Sequence, residues 1–250
     1  MVFETHTEKH IMRILFLLLL LPLMSIAQLK GIVNKAKDKV SNATGTSSLS
    51  NAEIGGALKE ALNKGVTEEV AKLTATDGFY RNEAVKILLP EELQKVDATL
   101  RKMGMANLAD EGIKVLNRAA EDAVKEATPI FVNAITNMSF NDARNILMGA
   151  DNSATVYLEK TTSSPLYSKF SPVVSTSLDK VGADKVWASI IDKYNGIPLV
   201  QKVNPDLTDY VTNKAMEGVF KMIAVEEKNI RTNLSSRTSD LLKKVFALQD

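Results

Sequence analysis

Cysteine is absent from this chain, and its two histidines, His6 and His10, both precede its one long apolar run. From residue 28 onward there is neither thiolate nor imidazole. This excludes Ser-His-Asp and Cys-His nucleophilic catalysis, redox thiols, histidine-ligated haem and the usual zinc sites. It also excludes disulfide staples, so stability must come from the core alone. No Gly-rich phosphate loop of the Walker or dinucleotide type occurs, and the carboxylates do not follow the EF-hand pattern. No metal and no cofactor is therefore expected. Charge of one sign is lacking as well, with 31 Lys and Arg against 30 Asp and Glu, evenly mixed. Without a basic run there is no footprint for nucleic acid. Aromatic residues make up only 6% of the chain. Phe79 with Tyr80, and Trp187 with Tyr194, could line a groove, but their helical spacing favours core packing.

What is present begins with a leader. The apolar run extends from Ile14 to Met24, short of the roughly 20 residues that a spanning helix needs. Arg13 precedes it, and Ser25-Ile26-Ala27 offers the small side chains that a signal peptidase accepts. Residues 1–27 are read as upstream residues plus a secretory signal peptide, with Met12 the natural start and cleavage after Ala27. The exported product would be periplasmic or extracellular. Gln28, not cysteine, would follow the cut, so no lipid anchor is expected, nor any membrane span once the leader is removed. Residues 28–48 form a polar tail, ending in the linker-like Ser41-Asn42-Ala43-Thr44-Gly45-Thr46-Ser47-Ser48. A folded domain is placed at 49–248.

That domain is predicted to be all-α, a single multi-helix domain with at most one short strand near 84–89, where Val85, Ile87 and Leu89 alternate. Ser50 and Glu53 form a capping box for a first helix that Gly65 should end, and Thr67 should cap a second. Pro90 opens a third, closed by Gly104. A long fourth carries Ile113, Leu116, Ala120 and Val124, and Thr128-Pro129 interrupts or kinks it. Ser139 to Leu147 is a short helix before Gly149. Helices from Pro165 to Val181 and from Ala183 to Tyr194 follow. Asn204-Pro205-Asp206 reads as an N-cap, a proline at the first helical position and an acid in the first turn.

Several strings give the chain a family likeness. They include Gly78-Phe79-Tyr80, Ile87-Leu88-Leu89-Pro90, Asn117-Arg118-Ala119-Ala120-Glu121 and Pro129-Ile130-Phe131-Val132. Asp142-Ala143-Arg144-Asn145-Ile146-Leu147, Gly149-Ala150-Asp151-Asn152-Ser153-Ala154-Thr155 and Lys160-Thr161-Thr162 continue them, then Phe170-Ser171-Pro172-Val173-Val174 and Asp209-Tyr210-Val211-Thr212. Glu226-Glu227-Lys228-Asn229-Ile230-Arg231 and the stretch from Arg237 to Phe246 close the series. Over about residues 49–246 the chain resembles the bacterial family catalogued as domain of unknown function 4197. The resemblance implies an exported helical domain and supplies no catalytic residues.

The chemistry left to the chain is polar recognition or carboxylate catalysis. The most concentrated polar segment runs from Asn141 to Lys160. Asp142, Arg144, Asp151, Asn152, Ser153, Thr155, Tyr157 and Lys160 are its candidate binding residues. Gly149 would turn the chain, and Asp151-Asn152-Ser153 would cap the next helix, leaving backbone N–H groups for a small anion or a carbohydrate hydroxyl. Glu111, Glu121 and Asp122 are candidate acids for a carboxylate-dependent hydrolase of envelope glycan. With the usual catalytic tools missing, the leading reading is a non-enzymatic envelope protein that binds an envelope ligand or protein partner. The alternatives are that hydrolase, or a carrier of apolar ligands suggested by the Met and Leu content of the helices.

Overall fold

Among the described residues seven α-helices carry the fold: α1 Asn51–Thr74, α2 Ala106–Val124, α3 Ala127–Thr136, α4 Phe140–Leu147, α5 Ser153–Asp179, α6 Leu207–Thr232 and α7 Asp240–Phe246. A 3-10 turn, Leu234–Ser236, joins the last two. The computed structural model describes residues 50–89, 101–185, 206–237 and 239–247, with 94, 98, 188, 192, 195–196, 198–199 and 202 between them. The leader and tail, Trp187, Tyr194 and most of the helix expected from Pro90 lie outside the described residues. Among the described residues there is no strand, so the all-α class stands.

The helices form where capping and an apolar stripe coincide. At the start of α1, Ser50 Oγ accepts from Glu53 N–H at 3.2 Å and Ser50 N–H donates to Glu53 at 2.7 Å, the reciprocal box read from sequence. In α5 the buried residues Leu158, Thr162, Leu166, Phe170, Val174 and Leu178 repeat every fourth position. Long helix α6 packs against α1, α2 and α5. At its middle, Phe220 meets Phe131 of α3 edge to face, centroids 6.0 Å apart.

Three boundaries differ from the sequence reading. The chain does not break at Gly65: α1 runs through both Gly65 and Thr67. Gly65 is buried against α6, where a Cβ would make ordinary contact with Glu226 Cγ at 3.5 Å, so the glycine sits inside the helix and is not a cap. Likewise α5 begins at Ser153 and holds both Pro165 and Pro172 inside it. Each proline removes one backbone donor, and both rings sit on the exposed face, where water can take the freed carbonyl. At α6 the N-cap is Asp206 itself, whose carboxylate accepts from Asp209 N–H at 2.9 Å. The expected interruption at Thr128-Pro129 does occur: α2 stops at Val124, and Pro129 falls in the first turn of α3, where a missing N–H costs nothing.

The segment at 84–89 shows why an alternating pattern appeared without a strand. Val85 and Ile87 are buried while Ala84 and Leu88 are exposed. The chain turns at 83–85, where Val85 N–H and Lys86 N–H donate back to Asn82 C=O, and the partner of Ile87 beyond it is a side chain. Asn117 of α2 accepts from Ile87 N–H and donates to Ile87 C=O, each at 2.8 Å. A carboxamide offers the same donor and acceptor as a peptide group, so one buried asparagine replaces a neighbouring strand.

Candidate functional site

The polar segment singled out in the sequence forms a helix–turn–helix, α4 to α5. Ser139 caps α4 in a second reciprocal box: its Oγ accepts from Asp142 N–H at 3.1 Å, and its own N–H donates to Asp142 at 3.1 Å. The turn that follows is tight. A Cβ on Gly149 would lie 2.7 Å from Asn145 C=O, so only glycine fits. Helix α5 then starts at Ser153 with Asn152 as N-cap, but the Asn152 side chain makes no capping bond.

The cap comes from another helix. Glu227 of α6 accepts from Ala154 N–H at 2.9 Å, Thr155 N–H at 2.8 Å and Thr155 Oγ at 2.9 Å. Four residues on, Arg231 donates to Glu227 at 2.8 Å, to Ile146 C=O at 2.7 Å and to Leu147 C=O at 3.3 Å. The carboxylate thus meets the positive start of α5 and the guanidinium meets the negative end of α4. Their side chains are 6% and 5% exposed, so the pair is sealed from water. This overturns one expectation. The N–H groups of Ala154 and Thr155 are not open to an anion, because Glu227 occupies them.

In front of this staple lies a groove of about 290 Å³ between α4 and α5. Asp142, Asn152, Ser153, Tyr157 and Lys160 line it, with Asn145, Ile146 and Val156. The remaining candidates fall elsewhere: Arg144 and Asp151 are exposed outside its walls, and Thr155 is buried against Glu227. Bonds from the Ser139 side chain and backbone hold the Asp142 carboxyl below its ordinary range, with a smaller contribution from Lys160. Burial, then the nearby Asp142 charge, pushes the Tyr157 phenol up, so it stays a neutral donor. Its hydroxyl points at Ala134 C=O, 3.4 Å away.

The three candidate acids of α2 have structural roles. Glu121 is buried, accepts from Phe79 N–H at 3.1 Å and Tyr80 N–H at 3.4 Å, and pairs through its other oxygen with Arg118. Arg118 also reaches Asp77 at 2.5 Å. Glu111 pairs with Lys114 at the surface, and Asp122 with Lys125 at 2.8 Å. Phe79, one of the possible groove aromatics, is fully buried in the core. One acid escaped the sequence reading. Burial pushes the Asp184 carboxyl up; Thr208 Oγ donates to one oxygen at 3.2 Å, and the other is buried with no partner among the described residues. Among the described residues no three acids cluster in a way that could hold a metal ion, and no helix is long and apolar enough to cross a membrane.

A family profile described as protein of unknown function, DUF4197, matches residues 48–247. The chain belongs to that family. No curated protein and no solved structure matches it. Within the DUF4197 domain, the strings that carried the likeness include both buried staples: Asn117, Arg118 and Glu121 in one, Glu227 and Arg231 in another.

Proposed function

We propose that this DUF4197 protein is an exported, non-catalytic component of the cell envelope that binds a ligand or partner through the α4–α5 groove. The observation that carries the reading is the Glu227–Arg231 staple, which fixes the ends of both groove helices from behind. A sealed ion pair is a poor source of net stability compared with apolar packing; its best-attested use is to impose one geometry. A rigid frame behind an open groove lowers the ordering cost of binding. The groove itself is small, near the lower end of the ~300–1,000 Å³ usual for ligand sites. It therefore suits a small molecule or a short stretch of a larger one.

Complementation in the native host tests this. Val156 lines the groove and is 53% exposed, so Val156→Asp should fold normally while spoiling the groove. Val132→Asp, on the exposed face of α3, is the control. The groove variant should fail to restore a deletion strain's envelope phenotype while the control succeeds. Full rescue by Val156→Asp would remove the groove from the function. Fractionation of the native cells tests export in the same strains.

The hydrolase reading keeps one foothold, Asp184, whose burial favours the protonated form required of a general acid. Loss of function in Asp184→Asn, in a protein that melts no lower than the parent, would favour it. The apolar-carrier reading has less support, since Asp142 and Lys160 stand in the walls of the α4–α5 groove.

A further inference from the structure

We propose that the α4–α5 groove takes a short zwitterionic peptide, with Asp142 facing its ammonium, Lys160 its carboxylate, and Asn145 and Asn152 its backbone amides. This rests on the groove being a binding site, as proposed above, and adds the class of ligand.

Four observations select that class. The walls hold one full negative charge and one full positive charge, Asp142 from α4 and Lys160 from α5. A ligand of either single sign would meet a repelling partner. Plain anions are further disfavoured because Glu227 already occupies the N–H groups of Ala154 and Thr155. Second, the carboxamides of Asn145 and Asn152 line the groove, and among the described residues neither meets a hydrogen-bond partner. A carboxamide is complementary to a peptide group, donor to acceptor and acceptor to donor. This same chain uses the match internally, where Asn117 takes both the N–H and the C=O of Ile87. Third, Ile146 and Val156 give the groove an apolar floor suited to small aliphatic side chains. Fourth, a saccharide would favour an exposed aromatic face. The one ring here, Tyr157, is half-buried and turns its hydroxyl toward Ala134.

Titration of the full chain with trialanine, followed by amide-resolved NMR, tests the proposal. The amides of Asn145, Asn152, Val156 and Lys160 should shift together. Lys160→Gln should weaken binding by about fivefold, the scale of one solvent-exposed charge pair. N-acetyl-trialanine amide, which lacks both end charges, should bind more weakly still. Melting curves of Lys160→Gln should match those of the parent, since Lys160 is exposed. Trialanine that leaves these amides unmoved at millimolar concentration overturns the proposal, as does equal binding of the blocked peptide. If chitotriose moves them and trialanine does not, the peptide class falls while the groove remains a binding site. If neither moves them and Val156→Asp rescues the deletion strain, both readings fall.

Discussion

Glu121 and Glu227 are both buried carboxylates on long helices, and both accept from two consecutive backbone N–H groups, yet they fasten different things. Glu121 holds an irregular loop at Phe79 and Tyr80, and its partner Arg118 is 34% exposed. Glu227 holds the start of a helix, and its partner Arg231 is 5% exposed while holding the end of another. Water can replace Arg118 at the first site. At the second, removing either partner strands the other as a buried charge. The lesson is that a shared motif, acid plus nearby arginine on one helix, carries a different energetic weight according to how well it is sealed.

That contrast breaks most sharply at the sealed pair. Arg231→Met should cost about 3–5 kcal/mol in urea denaturation, because Glu227 is left buried and unpaired. The double variant Glu227→Met, Arg231→Met should recover part of that loss, and a double variant as unstable as the worse single one would show that the charges do not act as a pair. Next in size is Glu121→Ala, expected at about 1–3 kcal/mol for unpaired buried N–H groups at Phe79 and Tyr80. Arg118→Gln should cost at most about 1 kcal/mol, since a third of that side chain faces solvent. A cost equal to that of Arg231→Met would erase the distinction between the two sites.

Asp184 sharpens the comparison from the other side, as a half-buried carboxyl met by a hydroxyl, Thr208 Oγ, and not by a guanidinium. Its folded pKa is raised, so the folded state binds its proton more tightly than the unfolded chain does. By linkage, stability then falls as pH rises from the ordinary carboxylate range through the raised value. Asp184→Asn should therefore be more stable than the parent at neutral pH, with the gain vanishing in acid. Melting curves across that range check the sign. The smallest effect should be at Asp151, an exposed turn residue that caps nothing: Asp151→Ala should stay within about 0.5 kcal/mol of the parent.

The sequence rules worked where local chemistry decides and failed where packing does. Ser50 with Glu53, and the break before Pro129, were legible because capping and proline sterics act within a few residues. Gly65 and Pro165 misled because a buried glycine and an exposed proline can each sit inside a helix that tertiary packing sustains. The groove was half legible. Polar density found the segment, but helical phase selects the lining: 142, 145 and 146 on one helix, and 153, 156, 157 and 160 on the other. Arg144 and Thr155 are out of that phase. The staples also left a trace, since Val219, Ile223, Glu227 and Arg231 continue one buried stripe at four-residue spacing, as do Ile113, Asn117 and Glu121. A charged or amide side chain inside such a stripe marks a polar group that another segment must satisfy.

The central claim is that Glu227 and Arg231 hold the α4–α5 turn rigid from behind, and hydrogen exchange at the Ala154 and Thr155 amides tests it most directly. Both lie at a helix start, where unassisted amides exchange quickly. With the Glu227 carboxylate bound to them they should exchange as slowly as core amides of α5 such as Phe170, and Glu227→Gln should release them while Phe170 stays protected. Fast exchange at Ala154 and Thr155 in the unaltered protein would contradict the staple, and with it the rigid frame on which the groove depends.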